Sequence, residues 1–74
     1  MSDELHEVRG LFRDMGQARM AAIAAGRRGM DAANSDQLVS DAEGVHVVIR
    51  TPDAPEAARA LLLEYGAYSA TIAS

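Results

Sequence analysis

From Val45 to Ser74 the hydrophobic positions change period twice, from two to three-and-four and back to two. In Val45-His46-Val47-Val48-Ile49-Arg50, Val45, Val47 and Ile49 share one face, and His46, Val48 and Arg50 the other. That alternation, with its β-branched content, predicts a strand. Thr51-Pro52-Asp53-Ala54-Pro55-Glu56 stops it, because Pro52 has no ladder donor, and starts a helix with Asp53 as N-cap and Glu56 three residues on. Ala54, Ala58, Leu61 and Tyr65, with Ala57 and Leu62 beside them, form one stripe; Leu63 falls outside it. Gly66 can take the left-handed conformation that ends a helix. Tyr68, Ala70 and Ile72 then alternate in a second strand over Ala67 to Ala73. Two strands joined through a helix run parallel if they share a sheet.

The first half reads as one long helix. Ser2-Asp3-Glu4 offers a cap and two carboxylates, and Leu5, Val8, Phe12 and Met15 keep helical spacing, widened by Leu11. Gln17 to Ala25 is rich in alanine, although Gly10 and Gly16 each weaken a helix by about 1 kcal/mol relative to alanine. The helix is expected from about Asp3 to Ala25, closing at Gly26-Arg27-Arg28-Gly29. Between Met30 and Gly44 a short helix capped by Ser35 competes with a strand over Gln37 to Ser40 and a turn over Asp41 to Gly44; the helix is preferred.

The expectation is a single small α+β domain over residues 1–74: an N-terminal helix in 1–29, a short helix, or a strand plus turn, in 30–44, and a βαβ unit in 45–74. The alternative, with the strand at 37–40, is a ferredoxin-like fold lacking its first strand. Two strands leave two open edges, and a short chain without cysteine has no disulfide to help, so the sheet is expected to be completed by oligomerisation. Met20, Met30, Leu63, Tyr68 and Ile72 are the candidate interface residues.

The run from Gly29-Met30 through Glu43-Gly44-Val45-His46-Val47-Val48-Ile49-Arg50, Thr51-Pro52-Asp53-Ala54-Pro55-Glu56 and Leu61-Leu62 to Glu64-Tyr65-Gly66-Ala67 resembles the C-terminal part of bacterial general stress proteins of the heat-induced, YflT-like type. The likeness extends over about residues 29–73. It implies a helix before Gly44, the fold of the second half, and a stress-associated protein without assigned chemistry. A strand-helix-strand half precedes this part in that family, where the pattern here predicts a single helix.

Charge narrows the partners. The net charge of −4 argues against non-specific binding to nucleic acid or anionic membrane. No apolar run is long enough to cross a bilayer and the N-terminus is acidic, so the chain reads as cytoplasmic. All seven basic residues are arginine. Arg19, Arg27 and Arg28 stand without an acid between Met15 and Met30, while Asp31, Asp36, Asp41 and Glu43 stand without a base from Asp31 to Gly44. These three arginines are the candidate contact for an anion or a partner protein. A helix-turn-helix can be drawn near residues 17–39, with Asn34 reading adenine, but Asp31 and Asp36 would repel phosphates. His6 and His46 lack metal-ligand spacing with another donor, and Ser69 and Thr71 have no base. No catalytic residue, cofactor or metal ligand is assigned. The sequence therefore points to a small non-catalytic module, homo-oligomeric or stress-associated, with a dimeric DNA-binding regulator using Arg19, Arg27, Arg28 and Asn34 as the alternative.

Overall fold

The computed structural model describes residues 6–32, 38–52 and 54–73. The helix start read at Ser2 to Glu4, Leu5, the Asp53 cap and the segment with Asn34, Ser35 and Asp36 lie outside them. The elements in chain order are β1 (His6–Phe12), α1 (Met15–Arg27), β2 (Asp31–Ala32), β3 (Val39–Asp41), β4 (Gly44–Thr51), α2 (Pro55–Glu64) and β5 (Ser69–Ala73). The five strands form one antiparallel sheet in the order β2-β4-β1-β5, with β3 also pairing β4.

This corrects the expected architecture at its first element. The segment read as the start of a long helix is β1, which lies between β4 and β5. Val8, Gly10 and Phe12 face the helices, opposite Ile49, Val47 and Val45 on β4, and Glu7, Arg9 and Leu11 take the open face. A separation of four residues, as between Val8 and Phe12, satisfies both helical and strand periods. β1 separates β4 from β5, which are thereby parallel without touching as neighbours. The sheet thus draws five strands from one chain, which removes the two-strand premise on which completion by oligomerisation was expected. The connectivity is that of a ferredoxin-type fold with its first strand present and the β2 and β3 pieces sharing one edge.

The second correction lies before Gly44. The preferred short helix is a strand: Val39, Ser40 and Asp41 of β3 pair with His46, Val45 and Gly44 of β4 across a two-residue loop, Ala42-Glu43. Asp41 Oδ1 accepts the Glu43 N–H at 2.9 Å, so the side chain organises the turn that a helix cap would have replaced. The strands in this region also replace the recognition helix of the helix-turn-helix reading at Asp31–Ala32 and Val39–Asp41.

Both helices pack on one face of the sheet. Asp14 caps α1, its Oδ2 accepting the Gln17 N–H at 3.0 Å. Two bonds, Gly29 N–H to the Gly26 carbonyl and Met30 N–H to the Ala25 carbonyl, close the helix, with Gly29 at φ 81°. The same pair of bonds closes α2, from Gly66 to Leu63 and from Ala67 to Leu62. At its other end α2 starts from Ala54, which is left-handed and makes no side-chain capping bond, followed by Pro55. The core joins Val8, Phe12, Val47 and Ile49 of the sheet to Leu61 and Leu62 of α2 and to the alanines of α1. No helix among the described residues is long and apolar enough to cross a membrane.

Candidate functional site

The side chains of α1 are distributed against expectation. Its buried residues are Ala18, Ala21, Ala22, Ala24 and Ala25, whereas Met20 is 58% exposed and Ile23 49%. A surface helix ordinarily turns its bulky apolar side chains inward. Here methyl groups alone line the inner face, letting α1 lie close to the sheet, and the larger apolar groups are left outside.

Beside them, Met20, Ile23, Ala24, Arg27 and Arg28 of α1 and its C-cap, with Tyr65 after α2, line a groove of about 220 Å³. Arg28 extends toward Glu64, with 3.9 Å between charged atoms, an exposed pair of little energetic weight. The groove therefore has an apolar floor and a guanidinium rim. Such a surface can seat an apolar side chain next to an acidic group. It holds no nucleophile paired with a base.

Of the residues singled out in the sequence, the structure brings Met20, Arg27 and Arg28 together in this groove. Arg19 is exposed on α1 but does not line it, and Leu63 is exposed on α2 outside the lining. Met30 and Ile72 are partly buried against the core. Tyr68 lies elsewhere, its hydroxyl donating to the Glu43 carbonyl and its ring 5.1 Å from the Arg13 guanidinium carbon. On the β5 edge, Arg59 Nε donates to the Ala70 carbonyl at 3.1 Å, occupying an acceptor that a further strand would use.

A second cluster was not expected. The β3–β4 loop brings donor atoms of Asp41, Glu43 and His46 within 4.8 Å of one another. His46 Nε2 lies 2.9 Å from Asp41 Oδ2, and its side chain is 12% exposed. The Glu43 backbone N–H, followed by the His46 side chain, holds the Asp41 carboxyl below the ordinary aspartate range. Asp41 and His46, with Arg9, Val39 and Val48, border a cavity of about 270 Å³ on the face without helices. The signal lay in the hairpin reading, since a two-residue loop places residues 41 and 46 on neighbouring strands. Three such donors could contact a divalent cation, but Asp41 is already bonded to both the loop and the imidazole. The cluster acts in the fold as a clamp across the hairpin.

No protein family, no curated protein and no solved structure matches the chain.

Proposed function

We propose that this chain is a small non-catalytic interaction module that works by self-association through the outer face of α1. The observation that carries this reading is the inversion of that helix, which buries alanines and exposes Met20 and Ile23 beside an arginine-rimmed groove. Exposed apolar groups clustered next to a recess support a protein contact more than they support a solvated surface. The arginine rim supports a partner that brings acidic groups as well, and this chain carries eleven of them. The stress-associated setting implied by the resemblance over residues 29–73 belongs to the same proposal.

The test is the solution mass across a concentration series up to about 1 mM, a range that includes weak contacts. The proposal expects the mass to rise from one copy toward two. A single-copy mass throughout would overturn it.

A further inference from the structure

We infer that the contact is a two-fold pairing of α1 with α1 of a second copy, the helices antiparallel and the axis passing between Met20 and Ile23. This rests on the proposed self-association and adds its geometry. Gly16, Met20, Ile23 and Arg27 recur at spacings of four, three and four, and all are exposed, so they form one outward stripe. When two such stripes meet antiparallel, Met20 of each copy falls opposite the partner's Ile23, and Gly16 falls opposite the partner's Arg27.

Charge selects this direction. The N-terminal end of α1 carries the capping Asp14 beside Arg13, whose guanidinium lies over the Tyr68 ring, and the C-terminal end carries Arg27 and Arg28. Antiparallel packing brings each Asp14 carboxylate to the partner's Arg27 and Arg28. Parallel packing would set Asp14 on Asp14, Arg19 on Arg19 and Arg27 on Arg27, with repulsion at every level. Packing explains a glycine as well. Gly16 stands inside the helix, where glycine is unfavourable, and a Cβ there would meet only the Asp14 side chain of its own chain. Among the described residues no other group outside the helix backbone and the glycine's chain neighbours lies within 4 Å of that position. Left bare, it admits the stem of the partner's Arg27, whose guanidinium then reaches Asp14. The groove between Ile23 and Tyr65 is the recess for the partner's Met20.

The chain has no cysteine, so spin labels can be attached singly to Arg19→Cys and Arg28→Cys and their inter-subunit distances measured. Antiparallel pairing about this axis predicts that the distance at position 28 exceeds that at position 19 by on the order of 10 Å, from the rise per helical residue. A dimer with equal distances at the two positions overturns the inferred geometry and leaves self-association standing. A monomeric mass with no inter-subunit signal overturns both. Gly16→Leu supplies a separate check: the folded variant should associate about tenfold or more weakly, because its side chain occupies the space of the partner's arginine stem. Undiminished association of that variant would overturn the pairing.

Discussion

At Gly44 the backbone has φ 130°, and a Cβ would run into the Phe12 carbonyl. Conformation and space both demand glycine where the two-residue loop enters β4. Gly44→Ala is expected to cost about 2 kcal/mol or more, seen as a lowered thermal midpoint; an unchanged midpoint would contradict the loop geometry. Gly10 serves differently. It lies beneath α2, where a Cβ would come within 3.0 Å of Leu62, so its small size, and no unusual backbone angle, lets the helix settle on the central strand. Directly before the Ala42-Glu43 loop, Asp41 accepts from the Glu43 N–H and from His46. Its folded carboxyl is lowered from the ordinary 3.8, so its contribution to stability is fully present above that value and is lost as pH falls through the lower folded one. A carboxyl titration followed by NMR should place the Asp41 midpoint below the ordinary value. A midpoint at or above it would show that the clamp does not form.

The elements explain what could be read in the sequence and what could not. The segments that became β4 and α2 carry unambiguous signals: a run of alternating β-branched residues, then prolines at a helix start and a glycine at its end. β1 was hidden because Val8 and Phe12 fit either period, with Gly10 read as a weak point in a helix. The better clue was Asp14 followed by Gln17, a helix start placed after Phe12. β3 was legible only as the second choice, the strand over Gln37 to Ser40, because Asp41 and Glu43 look like the last turn of a helix until Gly44 is assigned to the hairpin. In α1 the arginines and Met20 were recognisable as surface candidates, whereas Ile23 was missed. Bulky residues are expected inside, and only the complementary spacing of Ala18, Ala21, Ala22 and Ala25 shows which face is buried. That inversion makes opposite predictions for the two faces. Ala21→Leu should destabilise the fold by about 1–3 kcal/mol through overpacking, whereas Ile23→Ala, measured by denaturant unfolding at a concentration where the chain is monomeric, should change stability by about 0.5 kcal/mol or less. Equal costs at the two positions would contradict the assigned faces.

For the whole molecule, the internal position of β1 removes one reason to associate and leaves another. The sheet has its central strand from its own chain, and the β5 edge carries Arg59 on the Ala70 carbonyl, so edge pairing is not the contact that the structure favours. The open sheet face mixes Leu11 and Val48 with Glu7, Arg9 and Arg50, whose charged atoms lie 3.5 to 3.8 Å apart at the Glu7 carboxylate, a pattern suited to water. The outer face of α1 differs in joining bulky apolar groups to the arginines at its C-terminal end. The most direct measurement is the concentration-dependent solution mass of the chain beside two variants, Ile23→Glu and Leu63→Glu, both at exposed positions. The account predicts that the chain and Leu63→Glu associate while Ile23→Glu, still folded by circular dichroism, stays monomeric. Association of Ile23→Glu as strong as that of the unaltered chain would contradict it.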